Sequence, residues 1–163
     1  MALTTNLNYL QPTGFKVTIS RDNYPNLEFF AQGVLHPGMS VTQTTIPYRR
    51  SDVRLPGDKI NFDNVSVTVI ADEDLTSYIE MANWMERLVE VNNVIPSRRN
   101  TAITTTSDMR VSILSSHNNV NKTILYKNAF PTNVSSIQLE AATSDVQYIT
   151  FTVDFAYDYW EFV

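Results

Sequence analysis

The sequence predicts a mainly β chain: an antiparallel sandwich or half-open barrel with one packed α-helix. Three observations carry this. Short segments alternate apolar and polar residues at a period of two, most clearly Ile149, Phe151, Val153, Phe155, Tyr157 and Tyr159 against Thr150, Thr152, Asp154, Ala156 and Asp158. One segment only, beginning near Leu75, repeats its apolar residues at threes and fours. Short polar turns separate the alternating runs, and a single helix between strands is too few for a doubly wound parallel sheet.

The elements follow in chain order. Residues 1–13 are small, polar and without period, which predicts a flexible amino terminus. Phe15, Val17 and Ile19 alternate as a half-buried strand, residues 21–26 supply a turn, and residues 27–34 read as a second strand completing a first hairpin. His36, Pro37 and Gly38 break it. Residues 41–46 are rich in β-branched types and predict a strand with poorly distinguished faces. Pro47 and the pair Pro56-Gly57 are expected to interrupt ladder pairing, and they bracket a basic arm over residues 47–58 that carries Tyr48, Arg49, Arg50 and Arg54, with Lys59 just beyond. The arm is either an extended loop or hairpin projecting from the sheet, or simply a solvated basic loop.

Val65, Val67 and Val69 then share one strand face, and Ser66 and Thr68 the other. The helix that follows is expected to cover that valine face with Leu75, Tyr78, Ile79, Ala82, Met85, Leu88 and Val89. Asp72, Glu73 and Asp74 crowd its start, where a carboxylate caps free amides and meets the positive end of the dipole. Asn92, Asn93 and Pro96 stop it. Residues 97–108 are hydroxyl-rich and read as a long loop. Met109, Val111 and Ile113 form a strand, residues 115–119 a turn, and residues 123–130 a strand ending at Pro131. Ile137 and Leu139 suggest a short strand, residues 141–145 a turn, and the run from Ile149 to Tyr159 one long strand, for about seven or eight in all.

Composition closes off most chemistry. The 163 residues suit a single domain, 1–163, with a substantial core. There are no cysteines, and His36 and His117 lie far apart with no neighbouring ligand pattern, so a zinc site or a histidine-based triad is not expected. Four glycines, Gly14, Gly33, Gly38 and Gly57, build no phosphate-cradling loop, and no Gly-x-Ser-x-Gly elbow is present. Asp72, Glu73 and Asp74 could be imagined as metal ligands or an acid–base pair, but their place at a helix start explains them. The reading is that the chain is no enzyme and takes no cofactor. A net charge of −5 argues against specific nucleic-acid binding. The amino terminus lacks a signal-peptide pattern, and no run of about eighteen apolar residues predicts a membrane span.

A family resemblance rests on a series of short words. They are Pro37-Gly38, Ile46-Pro47-Tyr48, Pro56-Gly57-Asp58, Phe62-Asp63-Asn64 before the valine strand, Asp72-Glu73 opening the helix, Phe130-Pro131-Thr132-Asn133-Val134 and Asp158-Tyr159-Trp160-Glu161. In this order the chain resembles the tail tube protein of contractile-tailed, T4-like bacteriophages, similar in fold to the tube proteins of other contractile injection systems.

The resemblance implies a structural virion protein. Its copies form hexameric rings that stack into the inner tube of a contractile tail, and each copy gives strands to a large shared inner β-barrel. The tube is the conduit for genome ejection into the host cell. It also implies sheath and baseplate proteins as partners, passage of tape measure protein and DNA through the lumen without specific binding, assembly in the host cytoplasm, and no membrane contact. Tyr48, Arg49, Arg50, Arg54 and Lys59 become candidates for contact between rings or subunits. Thr150, Thr152, Asp154 and Asp158 become candidates for the lumen face. Rival readings are a baseplate tube-initiator or tail-terminator paralogue and, from another class, a β-sandwich carbohydrate-binding module using Tyr157, Tyr159 and Trp160.

Overall fold

A computed structural model of the chain describes residues 10–19, 25–89, 106–139 and 148–163. The readings of residues 1–9, of the helix stop at Asn92, Asn93 and Pro96, of most of the 97–108 loop and of the 141–145 turn lie outside them. Nine strands and two helices occur in the described residues: β1 (Phe15–Thr18), α1 (Pro25–Phe30), β2 (Ala31–Leu35), β3 (Met39–Tyr48), β4 (Ser51–Phe62), β5 (Val65–Ile70), α2 (Thr76–Val89), β6 (Ser107–Leu114), β7 (Val120–Val134), β8 (Thr150–Ala156) and β9 (Trp160–Phe162).

All pairings are antiparallel. Seven strands share one sheet in the order β1-β6-β7-β8-β5-β2 with β9 also on β7, while β3 and β4 form a separate two-stranded ribbon. The 15-residue β7 belongs to two walls. Its first half pairs β6 on one edge and β9 on the other, and its last residues pair β8. Between the halves Asn128 takes a φ of 53°. That left-handed residue bends the strand around the core, which Asn tolerates better than most side chains do. The bend is clamped: Asp108 accepts from Asn128 N at 3.2 Å and from Lys127 Nζ at 2.7 Å, and Asn128 Nδ2 donates to Asp158 at 2.6 Å.

Alternation builds the core as expected for β5, β6 and β8. Val65, Val67, Val69, Phe151, Val153 and Phe155 are buried from one wall, and Val17, Met109, Val111, Ile124 and Tyr126 meet them from the other. The helix closes the arrangement with a stripe that overlaps the expected one only in part, Tyr78 and Leu88 packing against the core as expected. Ser77, Met81 and Trp84 are its buried residues, with Leu88 partly buried beside them. Ile79 and Val89 are 50% and 68% exposed, and Leu75 is exposed too. Relative to the expected stripe the buried face is turned by roughly one residue, about 100°. The helix is apolar over two adjoining stripes, and the one holding Trp84 has more surface to hide.

Five expectations about the strands are corrected. Residues 27–34 are not one strand: α1 opens at Pro25, whose fixed φ suits a first helical turn, and buries Leu27 before β2 begins. The first hairpin is absent, because β1 pairs β6 and β2 pairs β5. Pro131 does not end its strand. β7 runs on to Val134 through an irregularity between Pro131 and Asn133, whereas residues 135–139 carry no strand. The last strand stops at Ala156; the chain leaves it over residues 157–159 and β9 joins β7, with Asp158 N donating to Lys127 O and Lys127 N to Tyr159 O, both at 3.0 Å. Alternation survives such a change of partner, so periodicity alone reads two strands as one.

Candidate assembly surfaces

The arm is a β-ribbon. Its two-residue turn, Arg49 and Arg50, is closed by the pair Tyr48↔Ser51. The expectation that Pro47 and Pro56-Gly57 break the ladder fails, since Pro47↔Asp52 and Gln43↔Pro56 are both in register. Hydrogen-bonded and non-hydrogen-bonded pairs alternate away from the closing pair, which puts both prolines on pairs whose N positions face outward. No donor is lost there. Gly57 sits where β4 carries two extra residues opposite β3, and a Cβ on it would stand 2.6 Å from Thr42 O, so only glycine fits.

No residue of β3 or β4 is buried. Directly opposed residues share a face, so Thr44, Ile46, Tyr48, Val53 and Leu55 lie together on one side of the tip. Arg54, Asp52 and Pro47 lie on the other side. Of the expected contact residues, therefore, Tyr48 is on the apolar tip face, Arg54 opposes it, Arg49 and Arg50 form the turn, and Lys59 lies in the bulge, its carbonyl accepting from Thr42 Oγ1 at 3.4 Å. The Arg49 guanidinium lies 6.0 Å from the Tyr48 ring centroid, and Arg49 has a φ of 52°, an uncommon conformation for a side chain of its size. Sequence reading missed Ile46, Val53 and Leu55, whose spacing signals a strand face only once the turn at Arg49 is placed.

At its base the ribbon is anchored by aromatic residues. His36 Nδ1 and the Tyr126 hydroxyl share a hydrogen bond of 2.7 Å, Trp160 meets the His36 ring edge-on at 5.1 Å, and Tyr157 donates to Asp63 O at 2.9 Å. Burial pushes the His36 imidazole down and the Tyr126 hydroxyl up, so both favour their neutral forms. Tyr157 is half-buried in this cluster with its ring on Phe62 and Tyr126. It is part of the anchor and not an open aromatic platform.

The second surface is the outer face of the wall β7-β8-β5-β2. The pairs Thr68↔Thr152 and Ser66↔Asp154 put three hydroxyls and a carboxylate on one side, with Thr150 at the end. Asp154 accepts from Ser66 Oγ at 2.5 Å and from Asn133 Nδ2 at 3.0 Å, and its carbonyl accepts from Thr132 at 3.1 Å. Asp158, expected on the same face, is not there, because β8 has ended and its carboxylate holds Asn128 at the bend. Among the described residues the outer edge of β2 has no partner strand, and neither has the edge of residues 130–134 of β7 that lies beyond the last β6 pair, Ser107↔Ala129. The wall thus has one apolar face buried in the core, one hydroxyl-rich face open and, among the described residues, two unpaired edges to which a further strand could be added.

Among the described residues no group of three or more His, Asp or Glu side chains is placed to hold a metal ion, and no helix is long and apolar enough to cross a membrane. Asp72 is a helix cap: its carboxylate accepts from Thr76 N at 3.1 Å, Ser77 N at 3.4 Å and Ser77 Oγ at 3.1 Å.

Comparison with known families places the chain. The phage tail tube protein family matches residues 2–163. The chain belongs to that family. Its role is accordingly structural, as a tail tube component. Solved structures agree in fold. A chain of the PVC sheath–tube complex, an extracellular contractile injection system in its extended state, superposes with a TM-score of 0.67 at 13% identity, covering 99% of each chain. A chain of the 6-fold symmetrised anti-feeding prophage baseplate gives 0.64 at 10% identity, over 100% of this chain and 97% of that one. A chain of the PVC sheath/tube terminator gives 0.59 at 16%, over 97% and 99%. No curated protein sequence matches.

Proposed function

We propose that six copies of this chain close into a ring, that rings stack into the inner tube of a contractile phage tail, and that the wall β7-β8-β5-β2 lines the bore through which DNA leaves. The observation that carries this is the wall itself: one oily face buried under α2 and the second wall, one hydroxyl-rich face left open, and an unpaired edge on each side. Joining the β2 edge of one copy to the β7 edge of the next removes both free edges and yields a closed barrel.

Size supports it. Four strands from each of six copies, at about 4.8 Å spacing and a tilt of about 40°, give a backbone diameter near 48 Å, leaving a bore of roughly 40 Å inside the side chains. That admits a DNA duplex. Charge supports it too, since six copies at −5 carry −30 per ring, and a conduit must not hold phosphate. Residues 1–163 then act as one tube domain with the ribbon as its arm. Tyr48, Arg49, Arg50 and Arg54 meet the next ring, and Thr150, Thr152 and Asp154 face the lumen. Sheath and baseplate proteins bind outside and below, in the virion.

Electron microscopy of the purified chain tests the reading: rings and tubes are expected, and protein that stays monomeric at every concentration overturns it. Because a terminator chain shares the fold, copy number per virion separates the roles. Many rings mean the tube, and a single ring means an initiator or terminator.

A further inference from the structure

We propose that His36 is an acid-sensitive latch on the neck of the β3–β4 ribbon: neutral, it fastens the neck to the body through the Tyr126 hydroxyl, and protonated, it lets go. The inference concerns the chain by itself and stands whether or not copies close into rings.

The neck is where the two legs of the ribbon leave the wall. On the outgoing leg His36, Pro37 and Gly38 separate β2 from β3, and on the returning leg Asp63 and Asn64 separate β4 from β5. Asp63 N donates to Gly38 O at 3.1 Å, which ties the legs to each other. No residue of β3 or β4 is buried, so the bonds at the neck set where the ribbon points. Three of them reach the body. Tyr157 donates to Asp63 O with its ring on Phe62, Asn64 Nδ2 donates to Thr132 Oγ1 at 3.4 Å, and His36 bonds Tyr126. A carbonyl and a hydroxyl accept at every pH between 5 and 8, whereas an imidazole gains a proton in that range and loses its acceptor. Of the three, the His36 bond is the one that acid can switch.

The Tyr126 hydroxyl shows why the proton matters. It is fully buried, and His36 Nδ1, at 2.7 Å, is its side-chain partner among the described residues. A neutral imidazole with its hydrogen on Nε2 offers Nδ1 as the acceptor that the phenol needs. An imidazolium has hydrogen on both nitrogens and can only donate, so the phenol must turn its own hydrogen elsewhere. The cluster has no acceptor to spare: the indole Nε1 of Trp160, whose ring lies 5.1 Å from that of His36, is itself buried with no partner. A buried donor left unpaired costs more than the bond it made was worth. His36 is open to solvent on its outer side, so protons reach it and the released ring turns to water.

The surrounding groups leave this sign unchanged. They are Tyr126 of β7, Trp160 of β9, Tyr157 and, on the returning leg, Asp63, whose carboxylate lies against Gly38. Lys127 and Glu161 alternate to the other face of β7 and β9, and Lys127 is paired with Asp108. Burial and then the Asp63 charge push the Tyr157 hydroxyl up, while partial burial by itself pushes the His36 imidazole down. A folded value below the ordinary 6.5 means that the latch is whole above about pH 6.5 and is lost as pH falls through the folded value. As the arm of the proposed tube, the ribbon would then dock at neutral pH and loosen in acid.

The test is hydrogen–deuterium exchange of the full chain between about pH 7.5 and about pH 5, read by mass spectrometry, which works on the free chain and on any assembly it forms. Slow exchange of the imidazole C2 hydrogen reports the protonation of His36, and amide exchange, divided by its intrinsic rate at each pH, reports the ribbon. His36 is expected to protonate below pH 6.5, and protection of the amides of residues 39–62 to fall several-fold along the same curve while β5 and β8 hold theirs. His36→Gln, whose amide oxygen accepts at every pH, should keep the ribbon protected throughout. Tyr126→Phe removes the buried donor and should abolish the pH dependence, which a merely structural role for the ring would not do. The wild-type curves decide alone if a variant fails to fold. Ribbon protection that stays constant while His36 takes up its proton, or protonation of His36 at or above pH 6.5, would overturn the latch. So would acid loss of protection in His36→Gln, or an unchanged pH dependence in Tyr126→Phe.

Discussion

Two residues show how local chemistry sets the frame. Asn128 turns β7 from one wall to the other at a φ of 53°, and its amide also holds Asp158. Replacing it by Gly or by Val removes the amide in both cases, so the difference between the two variants isolates the backbone. Asn128→Val is expected to be about 1–2 kcal/mol less stable than Asn128→Gly by denaturant unfolding, because a β-branched residue resists the left-handed region. Asp72 works through charge. Burial pushes its carboxyl up, but the Thr76 side-chain and backbone donors and the Ser77 amide outweigh that and hold it at about 2. A folded pKa below the unfolded 3.8 means that its contribution is whole above about pH 4 and is lost as pH falls toward 2. Asp72→Asn keeps a capping side chain and removes the titration. Its melting temperature is expected to lie a few degrees below wild type at neutral pH, and the gap should close as pH falls to about 2. A gap that stays constant with pH would show that the carboxylate charge is not what α2 uses.

At the scale of elements, the core strands were legible and the exposed ones were not. β5, β6 and β8 alternate because one face of each is buried, so Val65, Val67 and Val69 announce their own orientation. Apart from Phe62, half-buried on Tyr157, the side chains of the ribbon β3–β4 are exposed within the chain, and its apolar residues change sides between Val41 and Ile46. No single period describes it, and the prolines read as breaks because sequence does not show which pairs have outward-facing amides. In α2 the pattern allowed two stripes, and choosing between them needed the knowledge that Trp84 packs on Phe155, at 5.9 Å between ring centroids. Of the candidate site, the basic turn and the Thr152–Asp154 face were legible, and the apolar partners Ile46, Val53 and Leu55 were not. Gly57 gives a prediction at this scale. A methyl group there meets the backbone of Thr42, so Gly57→Ala must open the bulge and re-aim the tip. Since no ribbon residue is buried, thermal unfolding of the body should change by less than about 0.5 kcal/mol while tube yield falls sharply. Loss of both together would mean that the ribbon supports the core after all.

For the molecule as a whole, the two acidic residues expected in the lumen separate into different jobs, and that difference tests the conduit. Asp154 lies on the open face of the wall with its oxygens held by Ser66 and Asn133, so its charge is fixed in position on that face. Asp158 is spent on the bend at Asn128, away from the polar face of β8. On the proposed six-membered ring with this face inward, a lysine at 154 would put six cations around each level of the bore, and a moving polyanion should then bind counter-charge at every level. Phage carrying Asp154→Lys are expected to eject DNA several-fold more slowly, with the delay shrinking as salt rises, because screening weakens phosphate contacts. Asp154→Asn keeps an acceptor for Ser66 and adds no cation, and should eject close to the wild-type rate. Asp158→Lys should lower thermal stability of the chain and leave ejection kinetics unchanged in whatever tubes form. If Asp154→Lys tubes assemble normally and eject at the wild-type rate in low salt, the face bearing Thr150, Thr152 and Asp154 does not line the path of the DNA, and the wall β7-β8-β5-β2 must look outward.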